Sequence, residues 1–540
     1  MNHASEAIRN ATGSGGDDRS AMAAAQPAST ARAVRKIRTG IPGFDVVAEG
    51  GLPEGRATLI AGTAGSGKTV FATQFLIEGV RQAGEAGVFV TFEDSPADIR
   101  SNMLTFGWDI AAHEENGKLA FVDASPDPDG PIAIAGSYDL SGLISRIEHA
   151  VRKVNASRVA LDSLNALYIQ FPDQALLRGE LHRLTNTLKR AGVTVVFTGE
   201  RTQDYGPITR FGIEEFVADN VVILRNILQD ERRRRTAEVL KFRGARHQRG
   251  EVPFTITDTG LVFIPLTALQ LTQASSTARV TSGLADLDAM SGGGFFRDSV
   301  TLISGATGTG KTLLSTLFID GGARRGERCL LFAFEESRDQ LFRNAAAWGM
   351  DFEAHERNGL LTIVNQYPHA MPMEDHLISI RDTIERVKPT RVAVDSLSAL
   401  ERVFSLRSFR EFVISLTSAL KSREIAGLFT STTPLLLGGG SVTEKHISTL
   451  TDSIILLRYV EYLGQMRRSL TVLKMRGSEH DHDIREFTID GSGMHIGAPF
   501  RDVSGILSGN QSLVRTRGLA DFVTGSRDSA AADDTSASVE

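Results

Sequence analysis

The sequence has a single cysteine, Cys329, so no internal disulfide can form; one lone thiol fits a reducing, cytoplasmic setting. It has no apolar run near the roughly 18 residues that a membrane span needs, and no basic stretch followed by an apolar one at its start, which argues against a spanning helix and a secretory leader. It also has no surplus of positive charge. The net charge of -6 at pH 7 removes the counterion-release term that drives nonspecific nucleic-acid binding, so no nucleic-acid partner is expected. The one dense basic run, Arg232, Arg233, Arg234 and Arg235, is expected to be a solvated or subunit-facing strand edge.

What the sequence does have is a repeat. A chain of 540 residues exceeds what one hydrophobic core supports, which predicts two large domains. GTAGSGKT at 62–69 returns as GATGTGKT at 305–312, VTFED at 90–94 as FAFEE at 332–336, and RVALDSLNAL at 158–167 as RVAVDSLSAL at 391–400. Lys68 and Lys311 are 243 residues apart and Asp162 and Asp395 are 233 apart, a period that spans a whole domain and not a solenoid unit. Residues 34–265 and 280–510 are the expected domains and 266–279 a polar linker. An arm over 1–33 and a tail over 511–540, rich in Ala, Ser, Gly and Asp, are expected to be largely disordered.

Each half alternates short, fully apolar strand candidates with helical stretches. Such strands are buried on both faces, which predicts an α/β chain of two tandem RecA-like P-loop NTPase domains, each a mainly parallel sheet flanked by helices. The glycine-rich segments follow an apolar strand and precede a helix, where backbone N–H groups converge on phosphates. ATP is therefore expected on Gly62, Thr63, Ala64, Gly65, Ser66, Gly67, Lys68 and Thr69, and on Gly305, Ala306, Thr307, Gly308, Thr309, Gly310, Lys311 and Thr312. The lysines reach the outer phosphates; the hydroxyls of Thr69 and Thr312, with Asp162 and Asp395 at strand ends, are expected to hold Mg2+.

The acid pairs Glu93–Asp94 and Glu335–Glu336 follow strands, where one carboxylate can orient or deprotonate a nucleophile; Glu93 and Glu335 are the candidates for that chemistry. Both halves carry K-x-R-G, with Lys241 and Arg243, then Lys474 and Arg476. On a strand, residues two apart share a face, so each pair offers two cations, suited to the γ-phosphate of a neighbouring subunit. Aligning DNVVILR at 219 with DSIILLR at 452 sets Ser448 and Thr449 opposite Glu215 and Phe216, and Thr443 opposite Arg210. Adjacent hydroxyls thus occur only in the second half.

At these residues the sequence resembles the KaiC family of bacterial circadian clock ATPases and autokinases, over roughly residues 36–510. The stretches that carry it include RTGIPGFD, ERRRRTAEVLKFRG, VDSLSALERV, HISTLTDSIILL and VLKMRGSEHD. The resemblance implies a double-ring homohexamer with ATP between subunits, slow hydrolysis in the first ring, and autokinase and autophosphatase activity in the second. It implies phosphorylation at Ser448 and Thr449, with Glu335 as general base and metal neighbour and Glu336 its companion. Trp348, Arg468 and Met475 match nucleotide contacts, as do Thr105, Phe242, His247, Thr257 and Asp258 in the first half, while Arg402 and Arg410 match the subunit interface. Asp94 departs from the family's second Glu. The segment after Asn510 does not match the tail that engages KaiA, so a KaiB-like partner is implied and KaiA dependence is not.

The same fold serves recombinases and hexameric helicases, and a third reading is an ATP-gated signalling scaffold. The first of these would call for basic loops facing nucleic acid, which the acidic balance disfavours.

Overall fold

A computed structural model describes residues 34–125, 140–170, 173–210, 212, 214–229, 231–265, 275–433, 447–501, 503–507 and 512–513. The expected arm, most of the linker, nearly all of the tail and Thr443 lie outside these residues.

Each half is built on a nine-stranded sheet. In the first, the strands in chain order are β1 (Ala57–Gly62), β2 (Ala86–Thr91), β3 (Leu119–Asp123), β4 (Ala156–Asp162), β5 (Thr194–Glu200), β6 (Asn220–Gln229), β7 (Arg232–Phe242), β8 (Glu251–Thr257) and β9 (Gly260–Phe263). Across the sheet they run β9-β8-β7-β6-β1-β5-β4-β2-β3. From β6 through β1 to β3 every pairing is parallel, and the hairpins from β6 to β9 are antiparallel. The second sheet repeats this with β10 (Val300–Gly305), β11 (Cys329–Ala333), β12 (Leu361–Asn365), β13 (Arg391–Asp395), β14 (Ala426–Thr432), β15 (Ser453–Tyr462), β16 (Gln465–Met475), β17 (Arg485–Asp490) and β18 (Gly493–Pro499), in the order β12-β11-β13-β14-β10-β15-β16-β17-β18.

The apolar runs dictate this arrangement. All six residues of β1 and of β10 are buried, so both faces of these central strands need cover, and helices supply it. Helix Lys68–Ala83 packs on β2 and β4, and stops at Gly84, whose φ of 66° only glycine adopts without strain. Arg158 and Arg391, at equivalent places in β4 and β13, are buried yet ion-paired, to Glu85 at 2.6 Å and Glu327 at 2.7 Å, and lie over Phe75 and Phe318. Their charges are therefore compensated inside the core. Among the described residues no helix is long and apolar enough to cross a membrane.

The two halves are packed together. Ile264, just after β9, belongs to the second-half core with Met373, Leu377 and Phe412. Two members of the basic run correct the expectation of a solvated or subunit-facing edge, while Arg233 stays exposed: Arg234 is clamped within its own chain between Glu374 at 2.9 Å and Glu411 at 2.8 Å. Arg232 meets His369 at 3.0 Å and covers the Phe404 ring. Burial of the hairpin against the second half, which a linear reading cannot see, makes these arginines inter-domain struts.

Candidate nucleotide and phosphoacceptor sites

Both P-loops leave their strand at the carboxyl edge of the sheet and enter a helix. Gly65 and Gly67 (φ 71° and 93°), like Gly308 and Gly310 (79° and 102°), sit in the left-handed region, which turns successive N–H groups into one concavity. A Cβ at Gly67 would also come within 3.0 Å of Ile256. Lys68 folds back over its loop, donating to the Thr63 carbonyl at 3.0 Å, and Lys311 does the same to Ala306 at 2.8 Å. Burial pushes both ammonium groups down, opposed by Asp162, Glu200 and Glu93 in the first half and by Asp395 and Glu335 in the second. Ser66 and Thr309 are buried inside their loops, while Ala64 and Thr307 lie along the rims.

The aspartates end β4 and β13 beside these lysines. Asp162 accepts hydrogen bonds from Thr198 and Thr69, and Asp395 from Thr430 and Thr312. Burial nevertheless pushes both carboxyls up. A hydroxyl joined to a carboxylate next to a phosphate cradle is the donor set a hard divalent cation prefers, so the residues fit Mg2+.

The peptide bonds Asp162–Ser163 and Asp395–Ser396 are cis, and each serine hydroxyl donates to the nearby glutamate: Ser163 to Glu93 at 3.0 Å, Ser396 to Glu335 at 2.8 Å. Burial is the main cause that raises Glu93, while Ser163 counters it. Burial also raises Glu336, with Asp395 adding; Asn344 donates to it at 3.2 Å. Asp94 is exposed instead, its backbone carbonyl accepting from Thr91 at 2.6 Å. Glu335 has one further partner: Arg402 donates to it from within the same chain.

The K-x-R-G cations lie elsewhere. Gly62 pairs with Leu224, whereas Lys241 and Phe242 pair with Val221 and Asn220 at the opposite end of the same strand. Three residues of strand separate Lys241 from the Gly62 level and four separate Phe242, about 10 and 13 Å at ~3.3 Å per residue. Lys241 donates to the carbonyls of Glu215 at 3.1 Å and Ala218 at 2.8 Å, and Arg243 approaches Asp219 at 3.8 Å. The buried Phe242 ring meets His247 edge-on at 5.7 Å. In the second half Lys474 donates to Thr451 at 2.7 Å, Arg476 approaches Asp452 at 3.8 Å, and Met475 is buried between them. Arg476 also donates to the backbone carbonyl of the exposed Thr449 at 3.1 Å. Thr449 lies in a single helical turn, Ile447–Leu450, leading into β15; the Ser448 side chain lies outside what is described.

The sequence-derived residues therefore fall into two groups at opposite ends of each sheet. Thr257 and Asp258, in the β8–β9 turn, sit at the P-loop end, since the adjoining Ile256 lies against Gly67. Thr105 caps the helix Pro96–Leu104 a few residues before Trp108, which packs against Gly260 of that turn. Arg468 belongs there too, its guanidinium 5.8 Å from the ring of Tyr459, whose hydroxyl donates to Thr307 at 3.4 Å. Trp348 caps the helix Arg338–Ala347 and packs on the second-half core; Arg410 is exposed on the helix Leu406–Lys421. Sequence reasoning missed Ser163, Ser396, Thr198, Thr430 and Tyr459. The serines were visible, since both repeats read Asp-Ser-Leu.

Comparison with known proteins places this geometry. The family described as ATPase: KaiC matches residues 37–268 and again 280–500. Similar proteins include the circadian clock protein KaiC3 of Synechocystis sp., 62% identical over 477 residues, covering 88% of this chain and 94% of that one. The circadian clock oscillator protein KaiC of Parathermosynechococcus lividus is 54% identical over 486 residues, 90% of each chain, and that of Rippkaea orientalis is 53% identical over 486 residues.

Proposed function

The chain belongs to the KaiC family of ATPases, with two nucleotide-binding domains, and from that premise we propose that it is a circadian-clock homohexamer whose second ring phosphorylates Ser448 and Thr449 across the subunit boundary. The observation that carries this reading is the separation along each sheet. Lys241, Arg243, Lys474 and Arg476 sit at the strand end remote from their own P-loop, so they serve a nucleotide only when another copy presents its P-loop to them. Thr449 sits at that same remote end, which makes it a substrate for a neighbour.

In this mechanism Lys311 and the second P-loop orient the triphosphate, and Thr312 with Asp395 would hold Mg2+. The metal, when bound, neutralises charge on the phosphates. Glu335, oriented by Ser396, takes the proton of the incoming hydroxyl. The hydroxyl oxygen bonds the γ-phosphorus, the bond from that phosphorus to the bridging oxygen breaks, and ADP leaves. Arg476, tied to the Thr449 carbonyl, holds the acceptor turn. The first ring uses Glu93 on water, with the exposed Asp94 in place of a second Glu. Each phosphate adds about -1.5 to -2 charge at a subunit boundary, a signal a KaiB-like partner can read.

Intact-mass measurement and phosphopeptide mapping after incubation with ATP and magnesium test the proposal. Phosphate is expected on Ser448 and Thr449 and on no first-half residue; undiminished label in Ser448→Ala/Thr449→Ala protein would overturn the assignment.

A further inference from the structure

The autokinase reading leaves open what guides a neighbour's hydroxyl onto Glu335. Beside that carboxylate lies a cavity of about 290 Å3, roughly ten times the ~30 Å3 of one liquid water, bordered by Phe334, Glu335, Glu336, Asn365 and Tyr367. Tyr367 is 77% exposed. Its backbone is nevertheless fixed on both sides. The N–H of the preceding Gln366 donates to the Ala333 carbonyl at 3.2 Å, and the following Pro368 is buried, its carbonyl 3.2 Å from the His376 ring. A rigidly mounted, solvent-exposed aromatic at the mouth of a cavity is the kind of residue that becomes a contact in an assembly, because its ring loses little conformational freedom on being covered.

The internal repeat supplies a control. Ala333 pairs with Asn365 as Thr91 pairs with Asp123, so Tyr367 stands where the first half has Ser125, a small residue whose hydroxyl turns back to Asp123. The half with an exposed tyrosine over its catalytic acids is the half with adjacent acceptor hydroxyls; the other has Glu215 and Phe216 at that place.

We infer that Tyr367, at the mouth of the cavity beside Glu335, is the residue that positions the acceptor turn Ile447–Leu450 of a second copy of this chain. This rests on the assignment of Ser448 and Thr449 as acceptors. The turn comes from another copy because it and the chain's own P-loop lie at opposite ends of the sheet. Tyr367 lies over the backbone and side chains of the turn, excludes water from Glu335, and so sets which of two adjacent hydroxyls reaches the base.

Two measurements on the full chain with ATP and magnesium test it. In Tyr367→Ala, label on Ser448 and Thr449 is expected to fall at least about tenfold and their ratio to change, while hexamer formation and nucleotide binding stay parental; Tyr367→Phe, which keeps the ring, should restore the parental ratio. A parental rate and ratio in Tyr367→Ala, or loss of label only in step with loss of assembly, would overturn the role of Tyr367. Independently of any chemistry, Tyr367→Cys/Thr449→Cys protein treated with a short bismaleimide should give covalent subunit ladders with ATP and none in either single variant. Cys329 gives no background, since it is buried and its thiol is pushed up to about 12. Absence of ladders from assembled protein would overturn the docking. Ladders in a protein whose parent carries no label would keep the docking and reject the autokinase reading.

Discussion

Arg402 and Glu335 are joined within one chain: the guanidinium donates to one carboxylate oxygen while Ser396 donates to the other at 2.8 Å. The Glu335 carboxylate is thereby held by two donors, as the proposed general-base role requires, although Arg402 itself remains 60% exposed. A general base must be oriented as well as present, since proton transfer depends on reach. Glu335→Gln, which keeps shape and removes the base, should slow phosphorylation by roughly 100-fold or more. Arg402→Ala should slow it by about tenfold. In the double variant the two losses should not add, because Arg402 acts through Glu335. Phosphopeptide kinetics measure all three, and fully additive losses would show that Arg402 acts elsewhere.

The second prediction separates the rings. Lys68 and Lys311 make the same loop contact in each half, but only the second half has the adjacent hydroxyl residues, Ser448 and Thr449, that are the proposed acceptors. Lys311→Ala should reduce phosphorylation by at least about 100-fold, the scale of losing a cation on transferring charge, with ATP-dependent hexamers intact. Lys68→Ala should impair assembly and basal hydrolysis instead. Light scattering and phosphate release distinguish the two; equal loss of both functions in both variants would refute the division.

The two glycine-rich loops were legible because their signal is local. Glycine spacing, a lysine and a hydroxyl are contiguous, and duplication doubled each signal. The mainly parallel character of each sheet followed from fully apolar strands, whereas the order of the strands, set by long-range pairing, did not. What was not legible depends on contacts between distant segments. Thr198 and Thr430 reach the aspartates from a neighbouring strand, and nothing in a Phe-Thr dipeptide announces that. Arg402 carries a cation whose partner is 67 residues earlier. The run at 232–235 looked like a solvated strand edge because its acidic partners, Glu374 and Glu411, lie in the other half.

That clamp leads to a third prediction. Arg234 is only 16% exposed and each of its carboxylate partners less than 20%, so removing it strands two largely buried negative charges. Arg234→Ala should cost on the order of 2 kcal/mol, discounted from the ~3–5 kcal/mol of fully buried pairs. Because the loss falls between the domains, calorimetry should show their unfolding separate into two transitions. A single unshifted transition would mean that Ile264 and its neighbours carry the coupling without Arg234.

The last prediction concerns Asp395, where function and stability pull in opposite directions. Its carboxyl is buried beside Lys311, Thr312, Thr430 and Glu335, and burial raises its pKa above the usual ~3.8 despite the hydrogen bonds and the lysine. In ligand-free protein the folded state therefore binds more protons than the unfolded state between the ordinary carboxylate pKa and the raised one. Stability must fall as pH rises through that window, and at neutral pH the ionised side chain is a net cost. Lys311, pushed down by the same burial, works in the other sense and toward alkaline pH, so the comparison belongs on the acid side of neutrality. Asp395→Asn keeps the acceptor for Thr430 and removes the charge. It should stabilise the ligand-free fold at pH 7 by about 1 kcal/mol, flatten the decline that sets in above the ordinary carboxylate pKa, and eliminate phosphorylation, because Mg2+ would lose its anionic ligand. Urea unfolding without nucleotide at several pH values, read as the difference between parent and variant, cancels the parallel contribution of Asp162. A variant no more stable than its parent at pH 7, or with the same pH slope, would mean that the charge of Asp395 is compensated in the empty site and that its retention costs the fold nothing.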